Sequence, residues 1–115
     1  MPVSGGRVLI SGASVAGPVL AYWLSRFGFR PTVVEETAEL RFGSGGHAVD
    51  LFGPALEIID WMGALAQVQD ARTHTEIISF LRAGHRPIDV SAELGAEGVS
   101  ERHVEIMRGE LAKII

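Results

Sequence analysis

Small residues and one acid near the start of the chain have the types and spacing of a phosphate- and ribose-binding site. Gly12, Ser14 and Gly17 lie in a small-residue turn that directly follows a short apolar stretch. A pyrophosphate needs backbone N–H donors close by, and the N-terminus of a helix supplies them together with a favourable dipole. Glu35 follows at about the separation at which dinucleotide-binding domains place an acid that accepts hydrogen bonds from a ribose. A carboxylate there also repels a 2′-phosphate, so NADP is disfavoured at this site.

The flanking sequence predicts the strand, turn, helix and strand that would position these groups. Residues 7–11 predict the first strand and residues 31–35 the second, which ends at Glu35. Pro18 is predicted to open the helix because the first turn does not need its missing N–H, and Gly28 to end it. The predicted inward face of this helix consists of Ala16, Leu20, Trp23, Leu24 and Phe27.

This βαβ pattern is typical of dinucleotide-binding domains, although Ser14 replaces the usual middle glycine. The candidate phosphate-binding residues are Gly12, Ala13, Ser14, Val15, Ala16 and Gly17. The alternative at this point is a glycine turn in an ordinary α/β domain that binds nothing.

Composition limits the remaining classes of function. The chain has 115 residues, 47% of them hydrophobic, and a net charge of −4, which indicates a small globular domain and favours neither nucleic acid nor a membrane as partner. The absence of cysteine excludes disulfides and thiolate metal sites and agrees with a cytoplasmic location. The four histidines lack the spacing of a metal site, so no metal is expected.

The rest of the chain predicts further short elements. These are a glycine-rich loop at 42–46, a strand at 47–51, helices at 53–63 and 64–71, an antiparallel hairpin at 74–90, a strand at 103–106 and a helix from Arg108. Trp23 and Trp61 are expected in the core. Leu111, Ile114 and Ile115 are expected to form an exposed apolar face on the last helix. Self-association through that face is a further expectation.

Four segments together carry a resemblance to a known family. They are residues 10–18, residues 33–35, the run Gly45-Gly46-His47-Ala48-Val49-Asp50-Leu51, and the run Met107-Arg108-Gly109-Glu110-Leu111. In this order they resemble the N-terminal part of the FAD-dependent aromatic hydroxylases, especially the tetracycline-inactivating type of flavin monooxygenase. The resemblance extends over nearly the whole chain, and the last two segments make it specific.

The resemblance implies roles for particular residues. Gly12, Ser14 and Gly17 would hold the FAD pyrophosphate, and Glu35 the adenosine ribose. Arg108 would contact the linker of FAD, and Asp50 matches a family position near the flavin. Arg41 is a weaker candidate for the basic residue that often follows the ribose acid, since Glu36 occupies that place here. From the residues alone, Glu35 could instead be a solvated acid at a strand end, and Asp50 could cap the following helix or lie in a turn. Arg108 could interact with Glu105 or Glu110.

The resemblance also implies a fold and an activity. The fold is expected to be a Rossmann-like α/β FAD-binding domain of the aromatic-hydroxylase type, truncated, with an antiparallel hairpin insertion. Residues 1–115 would form the N-terminal portion of that single domain, with the nucleotide motif at 1–36, and the substrate domain would be absent. The parent enzyme would use FAD, NADH or NADPH, and O2 to hydroxylate a small aromatic or polyketide-like substrate. No catalytic residue is predicted in this part, which would be inactive alone.

Two other functions stay open at this point. Glu35 would also permit an NAD-binding Rossmann oxidoreductase, but the 43–51 loop and the hairpin favour the flavin enzyme, since an NAD domain would more simply continue its βα units. A small α/β module without enzymatic activity is the second alternative, acting through the apolar face of its last helix.

Overall fold

The chain forms two compact units. A computed structural model describes residues 5–39, 46–91 and 103–115. The first unit comprises Met1–His47 and Arg108–Ile115, and the second comprises Ala48–Met107.

The first unit contains the predicted βαβ motif. Strand β1 (Arg7–Ser11) pairs in parallel with strand β2 (Arg30–Val34), and helix α1 (Ala16–Arg26) connects them. The helix begins at Ala16, before the predicted start at Pro18. Pro18 fits inside the first turn because the N–H groups of that turn have no partner within the helix. Helix α4 (Arg108–Ile114) belongs to the same unit.

The predicted inward face of α1 is wrong in part. Trp23 and Leu24 are half-buried, but Ala16 and Leu20 are exposed, and Phe27 is 72% exposed. The buried residue of the helix is Gly17. The helix therefore makes its closest contact through a residue without a side chain. The spacing of apolar residues along the sequence does not identify such a contact.

The described residues of the second unit form a two-stranded sheet, two helices and a hairpin. Its elements are β3 (Ala48–Phe52), α2 (Gly53–Trp61), α3 (Leu65–Asp70), β4 (Ile77–Phe80), β5 (Ile88–Ser91) and β6 (His103–Met107). Strands β3 and β6 are antiparallel, and so are β4 and β5. The predicted hairpin is thus present.

The core of the second unit lies where α2 and α3 meet the β3–β6 pair. Its buried residues are Leu56, Ile59, Ala64, Val68, Val104 and Ile106, and the side chains of Val68 and Ile106 are completely inaccessible. Trp61 ends α2 with most of its surface exposed, so its predicted place in the core is wrong. Leu56 and Ile59 form the buried side of α2, and Trp61 lies off that stripe.

The last helix does not present the exposed face that its sequence predicts. Leu111 is buried, and Ile114 and Ile115 are half-buried. In the first unit, Ile10 of β1 is the other buried large apolar residue among those described. The expected exposed face of α4 is therefore wrong for Leu111, and Ile114 and Ile115 are only partly accessible.

Candidate nucleotide-binding site

The glycine turn after β1 begins at Gly12, whose positive φ angle is a conformation that residues other than glycine rarely adopt. Gly12 has φ of +102°, and its N–H donates to the Val34 carbonyl at 2.7 Å. This bond extends the pairing of β1 with β2 to the first residue of the turn. A Cβ atom at Gly12 would meet no atom within 4 Å, so the turn is open on that side. Glycine is favoured here for its backbone conformation, and the turn leaves room for a ligand.

Gly17 is required for a different reason, the close approach of the helix to the turn. A Cβ atom at Gly17 would lie 1.9 Å from the Gly12 carbonyl oxygen and 3.4 Å from Cγ2 of Ile10. No side chain fits at that distance. The absence of a side chain at Gly17 thus lets the first turn of α1 pack against the end of β1.

The N-terminus of α1 has the properties of an anion-binding site. The cap residue Val15 makes no side-chain hydrogen bond to the helix, and the first turn contains no acidic residue. Ser14, the residue before the cap, is exposed. No acidic residue of the first turn therefore offsets the helix dipole at this end, and the N–H groups of that turn could stabilise an anion such as a phosphate.

Glu35 connects the end of β2 to the glycine turn. Its Oε2 atom accepts a hydrogen bond from the Ala13 backbone N–H at 2.8 Å. Its Oε1 atom accepts the Thr37 backbone N–H at 3.1 Å, and the Thr37 hydroxyl lies at 3.1 Å from the same oxygen. These donors favour the ionised form and lower the pKa of Glu35 from 4.5 to about 2, with the Ala13 N–H the largest cause and Thr37 the next.

The carboxylate of Glu35 keeps the capacity to accept a hydrogen bond from a further hydroxyl group. Each ionised carboxylate oxygen has two lone pairs, so Oε2, which accepts only the Ala13 N–H, keeps an acceptor position for a hydroxyl donor, whereas Oε1 already has the Thr37 N–H and hydroxyl as partners. Glu35 is exposed, so such hydroxyl groups can reach it. Together, the open turn, the uncapped helix start and the ionised acid fit the phosphates and ribose of a dinucleotide.

Thr37 contacts the candidate ribose-binding acid, and the sequence analysis did not single it out. Its N–H and hydroxyl fix one oxygen of Glu35, and so they orient the carboxylate. A threonine two residues after an acid is the available signal, because acidic side chains commonly accept N–H groups at that separation.

The other predicted residues of the first unit are placed as follows. Arg108 begins α4, is exposed, and donates its backbone N–H to the His47 carbonyl at 3.1 Å. A Cβ atom at Gly46 would lie 3.5 Å from Cβ of Arg108, so the end of the glycine-rich segment runs beside the start of α4. Glu36 is exposed after β2. Arg41 lies outside the described residues.

Asp50 lies in the second unit and pairs with a histidine that the sequence analysis did not single out. Oδ1 of Asp50 is 2.6 Å from Nε2 of His103, across the antiparallel β3–β6 pair. The His103 ring also stacks on Phe52, with centroids 5.3 Å apart. Phe52, and not Asp50, is the cap residue of α2. The helix-capping alternative for Asp50 is therefore wrong.

The chain is similar to flavin-dependent enzymes. A flavin-dependent monooxygenase from an unknown prokaryotic organism is 37% identical over 110 residues, which are 95% of this chain and 28% of that protein. A flavin-dependent monooxygenase of Legionella longbeachae is 37% identical over 116 residues, with 95% of this chain and 28% of that protein covered. No protein-family profile matches the chain.

The similarity extends to solved structures. The tetracycline destructase Tet(55) superposes with a TM-score of 0.76 and 34% identity, covering 99% of this chain and 27% of that one. The resemblance to tetracycline-inactivating flavin monooxygenases is confirmed, and the mixed α/β fold is similar to part of such an enzyme. The chain spans about 28% of the length of the curated relatives it matches. None of the helices in the described ranges is long and apolar enough to cross a bilayer.

Proposed function

We propose that this chain supplies the adenosine and pyrophosphate subsite for FAD in a cytoplasmic flavin monooxygenase. The observation that carries the proposal is the bond from Ala13 N–H to Glu35, which joins the ribose acid to the phosphate-binding turn. Relatives named flavin-dependent monooxygenase, matched over 95% of this chain, support a flavin as the ligand.

The pyrophosphate would bind at the start of α1. The open side of Gly12, the exposed Ser14 and the uncapped N–H groups that follow Val15 would face its oxygens. Ala13, Ala16 and Gly17 would complete this turn, since small residues let the ligand come close to the backbone.

Glu35 would accept hydrogen bonds from the hydroxyls of the adenosine ribose. Because its pKa is lowered to about 2, Glu35 is ionised at neutral pH, where it accepts hydrogen bonds and donates none. This suits ribose hydroxyls, and the negative charge would repel a 2′-phosphate. Glu36 and Arg41 complete the proposed surroundings of the ribose, with Arg41 the weaker candidate.

Two further residues would act on other parts of the cofactor. Arg108, at the exposed start of α4, would contact the FAD linker, and Asp50 would lie near the flavin. Bound FAD would supply the oxidation–reduction chemistry with NADH or NADPH and O2. The residues of this chain bind and orient, and none is proposed as a catalytic acid or base. The substrate would be a small organic molecule, aromatic or polyketide-like, a class supported by similarity to tetracycline destructases.

The proposal also covers the organisation of the whole protein. Residues 1–115 would be the N-terminal portion of one Rossmann-like FAD-binding domain, with its nucleotide motif at 1–36 and a hairpin at 74–90. The substrate domain would be supplied by a longer parent chain, and residues 1–115 alone would not hydroxylate a substrate.

Titration of the chain with FAD and with NAD, followed by flavin fluorescence and calorimetry, tests the proposed subsite. Ser14→Glu places a negative charge where the pyrophosphate would bind, and we expect it to weaken FAD binding at least tenfold. Ser25→Glu makes the same chemical change at an exposed position near the other end of α1 and should leave binding unchanged.

The outcomes separate the alternatives. FAD affinity that is lost in Ser14→Glu and retained in Ser25→Glu supports the proposed subsite. NAD binding stronger than FAD binding would favour the NAD-dependent oxidoreductase. FAD binding that survives Ser14→Glu, or no binding by the unchanged chain at millimolar FAD, would contradict the proposal.

A further inference from the structure

One face of the β3–β6 pair carries two opposed carboxylates. The register places Asp50 opposite Glu105 and Phe52 opposite His103, and side chains of directly opposed residues lie on the same side of a sheet. The other side of the pair includes Ile106, which is completely buried in the core. Like charges directly opposite each other destabilise a pair of strands, so each of the two acids needs hydrogen-bond donors of its own.

The donors on this face are divided between the two acids. The Thr75 hydroxyl donates to the Glu105 carboxylate at 2.7 Å, and the Thr73 hydroxyl bonds to the same oxygen. The donor to Asp50 is His103, whose Nε2 atom lies 2.6 Å from Oδ1. Within the part of the chain that the structure describes, the Asp50 carboxylate therefore depends on His103 alone for a hydrogen bond.

His103 is itself held from a second direction. Its ring stacks on Phe52, with centroids 5.3 Å apart and the two planes inclined by 28°. Because the stack restricts the ring and Nε2 bonds to Asp50, the imidazole can hold the carboxylate in one orientation. The His103 side chain is 31% exposed and that of Asp50 51%, and exposed pairs contribute little to stability. Orientation of the carboxylate therefore explains the pair better than stabilisation of the fold does.

We propose that His103 is a positioning residue, which keeps the Asp50 carboxylate in a single orientation beside the flavin. This role rests on the proposed function, in which Asp50 lies near the flavin. Charged protein groups close to a flavin tune its electronic properties, and the effect of a charge depends on its distance. His103 would thus act through Asp50 and need not touch the cofactor. All of these groups belong to the second unit, and their bonds require no free surface that a longer parent chain could cover.

The side-chain rotamer of Asp50, measured by NMR in the chain without ligand, tests the positioning directly. Three-bond couplings between its Hα and Hβ protons distinguish one staggered rotamer from an average over several. We expect one rotamer in the unmodified chain and averaged couplings in His103→Phe, which keeps a ring beside Phe52 and removes the N–H donor. Thr75→Val is the matched control, because it removes a donor from Glu105 at another exposed position and should leave the Asp50 rotamer unchanged. Averaged couplings in the unmodified chain, or couplings that His103→Phe does not change, would overturn the proposal.

The visible absorbance spectrum of bound FAD tests whether the positioned carboxylate acts on the flavin. At saturating FAD, Asp50→Asn and His103→Phe should each shift the flavin absorbance maxima, and Thr75→Val should not. Because His103 acts through Asp50, the double variant should show the same shift as Asp50→Asn alone. A role of His103 that is merely structural would not depend on the presence of the Asp50 carboxylate.

The two measurements separate this role from the proposed function. Bound FAD whose spectrum is insensitive to both substitutions would overturn the role of His103 and leave the FAD subsite standing. Additive shifts in the double variant would do the same, since His103 would then act independently of Asp50. Failure of the unmodified chain to bind FAD would instead overturn the proposed function, and with it the role beside the flavin, whatever the rotamer of Asp50.

Discussion

The Ala13 N–H donates to Oε2 of Glu35 at 2.8 Å, which fixes the end of one strand against the turn that follows the other. The two residues are adjacent in space because β1 and β2 pair in parallel and both end at this edge. In open α/β sheets, ligands bind outside the carboxyl ends of the strands. The bond therefore has two consequences, one for the acid stability of the fold and one for the geometry of the proposed FAD subsite.

Glu35 should stabilise the folded chain in a pH-dependent way. Its pKa is lowered in the fold, so the stabilisation is present above pH 4.5 and is lost as the pH falls towards 2. Glu35→Gln should reduce the free energy of unfolding near neutral pH, and the difference from the unchanged chain should shrink at roughly pH 3. Urea unfolding at both pH values measures this. A difference that does not vary with pH would contradict the role assigned to the ionised carboxylate.

Gly17→Ala should destabilise the first unit because its Cβ would lie 1.9 Å from the Gly12 carbonyl oxygen. We expect a cost of about 1–3 kcal/mol, the usual range for an added group in a packed site. Gly53→Ala is the matched control, since Gly53 also lies in the first turn of a helix but has no atom within 4 Å of its Cβ position.

Thermal unfolding of both glycine variants distinguishes close packing from general helix propensity. Gly53→Ala should be neutral or stabilise by up to about 1 kcal/mol, because alanine loses less backbone entropy than glycine. Equal effects of the two variants would show that the approach of α1 to Gly12 is not what requires glycine at position 17.

Local chemistry made the nucleotide motif predictable from the sequence. Gly12 and Gly28 have positive φ, as expected for a turn and a helix end, and β1 has the predicted bounds. The hairpin was predictable from its β-branched strands and the turn at Gly84, which also has positive φ. In each case the residues that determine the structure are neighbours in the sequence.

Properties that depend on distant residues were not predictable. Trp61 was expected in the core from its type, but burial depends on which elements cover α2. The pairing of Asp50 with His103 requires the register of β3 with β6, which the strands alone do not specify. Leu111 was expected to be exposed, and it is buried within a unit assembled from both ends of the chain.

Ile106→Val should destabilise the second unit, because Ile106 is completely buried. Removing one methylene group from such a site costs about 0.5–1.5 kcal/mol. Ile77→Val is the matched control at a largely exposed position of the β4–β5 hairpin, and it should change stability by less than about 0.5 kcal/mol. Urea unfolding at constant protein concentration measures both. A cost at Ile77 equal to that at Ile106 would contradict the assignment of the core.

The Asp50–His103 pair should contribute little to stability, although its atoms are only 2.6 Å apart. Both side chains are substantially exposed, and pairs of this kind typically contribute about 0.2–1 kcal/mol.

Because His103 also stacks on Phe52, its substitution removes two interactions, and a double-mutant cycle is needed to separate them. Asp50→Asn, His103→Gln and the double variant, unfolded in urea at low and high salt, give the coupling energy. It should decrease with salt. A coupling that exceeds about 2 kcal/mol, or that salt does not change, would show that the pair is shielded from solvent.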